Sequence, residues 1–311
     1  MPDVRVGVVG ATGAVGTVVL ELLAERGYES VRAFASARSA GSVVGGHTVE
    51  EATPGALSAG DLDLCLFSVG TAASRELVPH AVRGGALCVD KSAAFRLEPG
   101  IPLVVPEVNG RRALEHDGIV ANPNCSTIPL VLVLKPIHEA VGLRSVRVAT
   151  YQSASGAGAG RLQRLLDEPP AEHDLAADWP HDGEEFEEES KLREETRKIL
   201  EVPDLPVSAT CVRVPVPVGH AESVWIETEE ALTPARACEL LSGAPSVRVD
   251  ELPTPGKAAG GDEALVGRIR RDPAAENGLS LFLACDNLRK GAALNGIQIA
   301  ELVLSSRAVT A

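Results

Sequence analysis

An apolar strand runs directly into three evenly spaced glycines near the start of the chain. Residues 4–9 form the predicted strand, and Gly10, Gly13 and Gly16 follow it before a helical stretch. Glycines let such a turn bend, and they let a pyrophosphate approach the amides at a helix N-terminus, where the helix dipole favours anions. The spacing departs from the usual Gly-x-Gly-x-x-Gly pattern. The turn therefore predicts a dinucleotide site, with a tight strand–helix turn that binds nothing as the alternative.

Short apolar strands alternate with helical stretches as far as about residue 140, a pattern typical of a parallel sheet covered by helices. Later strands are longer and have fewer helices between them, which indicates a mainly antiparallel sheet. The predicted class is α/β, with a Rossmann-like unit and a second α+β unit, and 311 residues suffice for both. A final helix is predicted over residues 288–304. The predicted strands are 4–9, 31–35, 62–69, 87–89, 119–121, 146–151, 207–216, 223–228, 247–251, 264–270 and 279–285.

The end of the second predicted strand indicates which nicotinamide nucleotide would fit. A site for NAD usually places Asp or Glu there to bind the ribose 2′-hydroxyl. This chain has no carboxylate at that point and has Arg38 between Ser36 and Ser39 instead. A guanidinium flanked by two hydroxyls suits a 2′-phosphate, because all three groups can donate hydrogen bonds. The segment predicts NADP, with an ordinary loop arginine as the alternative.

One cysteine stands at the start of a predicted helix near the middle of the chain. Cys125 follows a buried strand and the polar turn that contains Asn124. A helix N-terminus stabilises a thiolate through its dipole and its free amides, so a thiol in the first turn gains reactivity. Polar neighbours on both sides weaken the alternative of a buried structural cysteine. Cys125 is therefore the predicted nucleophile.

The other five cysteines show no spacing typical of a zinc site or of a disulfide framework, so no metal is predicted. The formal charge of −14 disfavours nucleic acid and anionic membranes as partners. No apolar run approaches the roughly 20 residues of a membrane helix, and the N-terminus has no basic leader. We expect a cytoplasmic protein in which any anionic substrate binds a locally basic pocket.

Residues 184–201 begin with many glutamates and continue with lysines and arginines. This order of charges suits the dipole of a helix. A solvated amphipathic helix without a functional role explains the charges equally well.

Six segments together resemble the aspartate-semialdehyde dehydrogenase family, in family order over nearly the whole chain. The most specific features are Asn-Pro-Asn-Cys at residues 122–125 and the spacing of seven residues from Arg213 to His220. The glycine turn is the least specific. The segments are 10–16, 36–39, 122–127, 151–158, 213–220 and 286–295.

The resemblance implies a role for each matching residue. Cys125 attacks the substrate carbonyl and forms a thioacyl enzyme, Gln152 orients the acyl group, and His220 is the general acid/base. A turn histidine at the end of an apolar strand is the alternative for His220. The implied substrate residues are Arg213 for the α-carboxylate, Glu188 for the α-ammonium, Lys191 and Arg96 for phosphate, and Asn124. The implied cofactor residues are Gly10, Thr12, Gly13, Ala14, Val15, Ser36, Arg38, Ser39, Ser155, Gly156 and Asn287.

For two of these assignments the sequence also predicts which residues share a face of a strand or helix. Alternation along an extended segment puts Arg213 on the same face as Pro215 and Pro217. A separation of three residues puts Glu188 and Lys191 on one helix face. With Arg96 and Lys191 beside Arg213, the protein would contain the basic pocket that its overall acidity demands.

The family reaction is the reversible reductive dephosphorylation of L-aspartyl-4-phosphate to L-aspartate 4-semialdehyde with NADPH, a step in the biosynthesis of lysine, threonine and methionine. The predicted units are residues 1–127 plus 288–311 for NADP and 128–287 for catalysis and dimerisation, in a homodimer or dimer of dimers. Residues 160–184 are shorter than is usual in the family and lack an apolar strand, so substrate and oligomeric state depend on this stretch. The alternatives are a paralogue that reduces another acyl phosphate or acyl thioester, and a catalytically silent nucleotide-binding protein.

Overall fold

The computed structural model describes residues 4–171 and 179–310, and the chain divides into two compact units. Unit 1 comprises Met1–Pro123 and Ala292–Ala311, and unit 2 comprises Asn124–Gly291. The boundaries fall at 123 and 291, whereas 127 and 287 were predicted. Asn124 already belongs to unit 2, where its backbone N–H donates to Glu195 and its side chain donates to Glu188.

Unit 1 contains a seven-stranded sheet in the order β3-β4-β2-β1-β5-β6-β7, parallel except for the hairpin β3–β4 at its edge. All five strands predicted here are present, and the parallel α/β class is confirmed. The polar hairpin was not predicted, because only Val49 of its residues is buried. The strands are β1 Val6–Val9, β2 Val31–Ala35, β3 Val43–Val44, β4 His47–Glu51, β5 Leu64–Phe67, β6 Leu87–Asp90 and β7 Ile119–Ala121; the helices are α1 Ala14–Glu25, α2 Pro54–Leu57, α3 Thr71–Arg83, α4 Pro106–Asn109 and, at the C-terminal end, α10 Leu294–Thr310.

The centre of this sheet is apolar on both faces. Every residue of β1, β5 and β6 is buried, as expected for parallel strands covered on both sides. The predicted final helix begins later than expected, because a π-helical turn at Arg289–Ala293 precedes α10. None of the helices in the described residues is long and apolar enough to cross a membrane.

Unit 2 contains a six-stranded sheet in the order β11-β8-β12-β15-β14-β13. The two outer pairs are parallel and the three inner pairs are antiparallel, so the sheet is mainly antiparallel as predicted. A two-stranded hairpin, β9–β10, precedes helix α7. The strands are β8 Leu143–Gln152, β9 His181–Asp182, β10 Glu185–Phe186, β11 Val207–Arg213, β12 His220–Thr228, β13 Val247–Val249, β14 Ala264–Arg271 and β15 Gly278–Cys285; the helices are α5 Thr127–Val141, α6 Ala159–Asp167, α7 Glu187–Leu200, α8 Pro234–Ser242 and α9 Pro255–Ala258.

Two local predictions for this unit are corrected. Strand β11 ends at Arg213, so the predicted alternation with Pro215 and Pro217 is wrong. The helix predicted from residue 184 begins at Glu187, because Glu185–Phe186 pairs with the preceding strand and the Phe186 N–H donates to the Glu189 carboxylate. Within the shortened stretch, residues 172–178 lie outside the described part of the chain.

Candidate active site

Cys125 and His220 lie side by side in unit 2. Cys125 Sγ and His220 Nε2 are 3.2 Å apart. Cys125 is half-buried and stands two residues before the first residue of α5, not in the first turn of the helix as predicted. His220 is the first residue of β12 and is only 1% exposed. The fold therefore brings together a thiol and an imidazole from distant segments, as nucleophilic catalysis by cysteine requires.

The backbone of Ser153 determines where His220 carries its proton. The Ser153 N–H donates to Nδ1 of His220 at 3.0 Å. Because a backbone N–H can only donate, Nδ1 is the acceptor and the ring proton lies on Nε2, facing Sγ. Burial, and next the charge of Arg213, lower the pKa of His220 to about 3. His220 is thus a neutral hydrogen-bond donor to the sulfur, and acting as a base would require loss of the bond to Ser153.

Asn287 holds the loops on both sides of the histidine. Its Oδ1 accepts the N–H of Gly219 at 2.9 Å and the hydroxyl of Ser153 at 3.0 Å. Its Nδ2 donates to the Ser155 hydroxyl at 2.9 Å. Asn287 and Ser155 were predicted to bind the cofactor, and that role stays a prediction. In the structure they fix the position of His220.

Gln152, Asn124 and Glu188 meet next to Cys125. Oε1 of Glu188 accepts from Nε2 of Gln152 at 3.0 Å and from Nδ2 of Asn124 at 2.9 Å. Glu188 lies in the first turn of α7 and is 7% exposed. Sequence reasoning missed Glu195, which accepts the backbone N–H of Asn124 at 2.7 Å. The sequence could have pointed to Glu195, because its spacing of seven residues from Glu188 places both carboxylates on one helix face.

Arg213 occupies the end of β11, directly beside Gln152 in the sheet register. Its side chain is buried, and Nη1 donates to the Ser153 carbonyl at 3.0 Å. A Cβ on Gly156 would lie 3.0 Å from Nη1 of Arg213 and 2.9 Å from Cε1 of His220. The missing side chain of Gly156 therefore leaves room for both groups.

The structure places the two predicted phosphate residues in different surroundings. Lys191 is paired with Glu187 of the same helix, Nζ to Oε2 at 2.7 Å. Arg96 belongs to unit 1, where its buried guanidinium donates to the carbonyls of Asn122 and Lys91. Phosphate binding by either residue stays a prediction.

The glycine turn of unit 1 is built for close backbone approach. Gly10 has a φ of +90°, and a Cβ on Gly16 would lie 2.1 Å from the Gly10 carbonyl oxygen. Thr12, Gly13, Ala14 and Val15 complete the turn and the start of α1, whose first amides have no partner within the helix. The turn therefore fits a pyrophosphate, as predicted from the sequence.

The residues predicted to bind the 2′-phosphate follow the carboxyl end of β2, and the glycine turn follows the carboxyl end of the neighbouring β1. Strands β1 and β2 are parallel neighbours, and the N–H groups of Gly10 and Ala11 both donate to the Phe34 carbonyl. Arg38 follows β2 in a single 3-10 turn and is exposed, as is Ser36, while Ser39 is half-buried. Within unit 1, the strand pairing thus puts the segment that carries Arg38 next to the turn that fits the pyrophosphate.

Glu222 is a buried carboxyl that sequence reasoning missed. It is two residues after His220 on β12 and lies on the same face of the sheet. Neither carboxyl oxygen has a hydrogen-bond partner among residues 4–171 and 179–310. Burial raises the pKa of Glu222 well above its usual range, because the charged form is disfavoured away from water. The burial of Glu222 could have been predicted from the sequence, because the residue lies on the apolar face of a strand in which apolar residues alternate.

Replacing Glu222 with glutamine is expected to reduce the pH dependence of stability. In the unfolded chain the carboxyl ionises above about pH 4.5, while burial holds its pKa higher in the folded protein. Its contribution to stability is therefore present below that pH and is lost as pH rises toward the folded-state pKa, by up to about 1.4 kcal/mol per pH unit. The free energy of unfolding, measured between about pH 5 and pH 8, should fall less steeply in Glu222→Gln than in wild type. The exposed control Glu230→Gln should keep the wild-type slope; equal slopes for all three proteins would contradict the prediction.

A parallel sheet with a pyrophosphate turn, followed by a unit with a cysteine–histidine pair, defines a class of protein: a nucleotide-dependent oxidoreductase that works through a thiol. The family model "Semialdehyde dehydrogenase, NAD binding domain" matches residues 5–116, and "Semialdehyde dehydrogenase, dimerisation domain" matches residues 134–290. The chain belongs to this family, among the aspartate-semialdehyde dehydrogenases. The resemblance of the six sequence segments is thereby confirmed.

Relatives and solved structures agree along the whole chain. An aspartate-semialdehyde dehydrogenase of Streptomyces akiyoshiensis is 45% identical, over 96% of this chain and 98% of that protein. The structure of aspartate semialdehyde dehydrogenase II complexed with ASA from Vibrio cholerae matches with a TM-score of 0.89 and 36% identity, over 98% of this chain and 99% of that one. The enzyme with NADP from Candida albicans matches with a TM-score of 0.77 and 26% identity, over 98% and 99%.

Proposed function

We propose that this protein is an NADP-dependent aspartate-semialdehyde dehydrogenase, which interconverts L-aspartyl-4-phosphate and L-aspartate 4-semialdehyde. The observation that carries the proposal is the 3.2 Å approach of Cys125 Sγ to His220 Nε2, with Gln152 and Arg213 adjacent in register. The test is reduction of NADP by aspartate semialdehyde with inorganic phosphate. No reduction under these conditions would refute the proposal.

In the direction of reduction, the Cys125 thiolate attacks the acyl carbonyl, the C–O bond to phosphate breaks, and a thioacyl enzyme forms. NADPH supplies the hydride that reduces this thioester. The hemithioacetal then collapses to the aldehyde, and its C–S bond breaks to restore the thiolate. His220 Nε2–H faces the sulfur throughout, so its hydrogen bond stabilises the thiolate as nucleophile and as leaving group.

Substrate recognition is proposed to rest on a charge pair within unit 2. Arg213 would bind the α-carboxylate through its planar fork of donors, and Glu188 would bind the α-ammonium. The buried Glu188 carboxylate already accepts two amide hydrogen bonds, which keep its oxygen in place for a cation. The similarity to a Vibrio cholerae enzyme solved with ASA supports an aspartyl substrate.

Replacing Glu188 with glutamine is expected to weaken binding of aspartate semialdehyde and to matter little for succinate semialdehyde, which lacks the amino group. A hydrogen bond to a charged group contributes about 1.5–3 kcal/mol, so the catalytic efficiency should fall about ten- to hundredfold for the first compound only. The measurement is a two-by-two comparison of wild type and Glu188→Gln with both aldehydes. Equal penalties would show that Glu188 does not bind the ammonium.

Two other functions remain distinguishable from the proposed one. Equal penalties in the Glu188 comparison would favour a paralogue that acts on another acyl phosphate or on an acyl thioester. A silent nucleotide-binding protein would bind NADP and turn over none of these aldehydes. Against the silent protein stands the cysteine–histidine pair, whose imidazole is held by the Ser153 N–H on one side and faces Cys125 Sγ on the other.

The choice of NADP over NAD is proposed from Arg38 and from the Candida albicans enzyme solved with NADP. Arg38→Ala is expected to raise the Michaelis constant for NADP about ten- to hundredfold and to change that for NAD little, because only NADP has a 2′-phosphate. The control is Arg83→Ala, an exposed arginine of the same unit. A similar loss with both cofactors would place Arg38 outside the 2′-phosphate site.

The chain carries a dimerisation domain, and we propose a homodimer, with a dimer of dimers as the larger alternative. One face of the unit 2 sheet supports this, because it presents half-buried Ala149 and Trp225 next to exposed Arg147. A mass measurement in solution decides between the two assemblies. A cytoplasmic location stays a prediction from the sequence.

A further inference from the structure

Trp179 covers the guanidinium of Arg213. The Cζ atom of Arg213 lies 4.7 Å from the centroid of the indole ring, within the range of a cation–π contact. Arg213 is 3% exposed and Trp179 is half-buried, so the contact is largely shielded from water. Such shielding strengthens the attraction between a cation and an aromatic face.

The hairpin before α7 sets the position of this tryptophan. Pro180 follows Trp179 directly, and its carbonyl accepts the N–H of Glu187 at 2.9 Å. The rings of His181 and Phe186 pack 4.6 Å apart across the hairpin. Trp179 is thereby tied to the first turn of α7, the turn that carries Glu188.

Two contacts constrain the orientation of the Arg213 guanidinium. The indole covers one face and so sets the plane of the group, while the Ser153 carbonyl accepts from Nη1 and limits rotation within that plane. A carboxylate binds a guanidinium in the plane of its N–H donors, so a fixed plane favours a planar carboxylate in one orientation. Neither contact depends on the residues implied by the family resemblance for catalysis.

We propose that Trp179 is a specificity-determining residue, which holds Arg213 in the plane required by the α-carboxylate of the substrate. The inference rests on the proposed function, in which Arg213 binds that carboxylate. Trp179 touches the arginine rather than the reacting atoms, so it acts as a positioning residue. Its loss should therefore affect substrates with a carboxylate and spare those without one.

The first test compares wild type, Trp179→Leu and Trp179→Phe on aspartate semialdehyde and on 3-aminopropanal, the same aldehyde without the carboxylate. Trp179→Leu should raise the Michaelis constant for aspartate semialdehyde about five- to thirtyfold, with a smaller change in kcat. Its efficiency with 3-aminopropanal should stay near wild type. Trp179→Phe keeps an aromatic face and should recover most of the loss.

The second test measures binding without turnover. Trp179 and Trp225 are the two tryptophans of the chain, so Trp225→Phe leaves Trp179 as the single tryptophan, which can be excited apart from the tyrosines. In the absence of NADP, its emission should change on titration with aspartate semialdehyde and remain constant with 3-aminopropanal. This readout does not require an active enzyme.

The outcomes separate the two proposals. No turnover of aspartate semialdehyde by wild type would overturn the proposed function. Wild-type turnover combined with equal Trp179→Leu losses on both aldehydes would overturn only the role of Trp179, as would an emission change that is the same for both or absent for both. A selective loss, recovered by phenylalanine, supports the inference.

Discussion

Cys125→Ala is expected to lower turnover by at least about 10⁴-fold while NADP binding stays close to wild type. The reason is that the thioacyl enzyme cannot form without the sulfur, whereas the predicted cofactor residues of the glycine turn and of the segment after β2 remain. Cys125→Ser should also be very poor, because a serine hydroxyl ionises far less readily than a thiol. Steady-state rates and a fluorescence titration with NADP measure the two quantities separately.

The matched control is Cys238→Ala, since Cys238 is another half-buried thiol of unit 2, on α8. It should retain wild-type turnover and wild-type NADP binding. Substantial activity in Cys125→Ala would rule out the covalent mechanism. Loss of NADP binding in the same variant would show instead that the cysteine supports the fold.

His220→Ala is expected to reduce catalytic efficiency by about 10²- to 10⁴-fold, the usual range for loss of a positioned proton donor or acceptor. His220→Gln should lose less, because its side-chain amide can still donate toward the sulfur. The alkylation rate of Cys125 by iodoacetamide should shift to higher pH in His220→Ala, since the Nε2–H that stabilises the thiolate is gone. An alkylation profile identical to that of wild type would contradict the donor role.

The pH profile of the wild type follows from the same geometry. Burial lowers the pKa of His220 to about 3. We therefore expect the pH–rate profile to show no fall near pH 6.5, the ordinary pKa of a histidine. On the stability side, the depressed pKa stabilises the folded state above the unfolded value of about 6.5, and this contribution is lost as pH falls toward 3.

Local patterns in the sequence were sufficient to predict those elements whose conformation depends on neighbouring residues in the chain. The glycine turn could be predicted because Gly10 adopts a φ closed to most side chains and Gly16 has no room for one. The buried strands of the first sheet could be predicted from continuous apolar runs. Cys125 was predicted as the nucleophile from a place in the first turn of a helix, whereas the helix begins at Thr127, two residues after it.

The tertiary structure alone decided which of these residues meet. Cys125 and His220 are 95 residues apart in the chain, and their contact depends on the residues just before α5 and the first residue of β12 coming together within unit 2. The tautomer of His220 depends on one backbone N–H, that of Ser153, which no side-chain pattern predicts. The stacking of Trp179 on Arg213 is likewise invisible in sequence. Periodicity reports which side of a strand or helix is buried, whereas sheet register and helix packing determine which buried groups face one another.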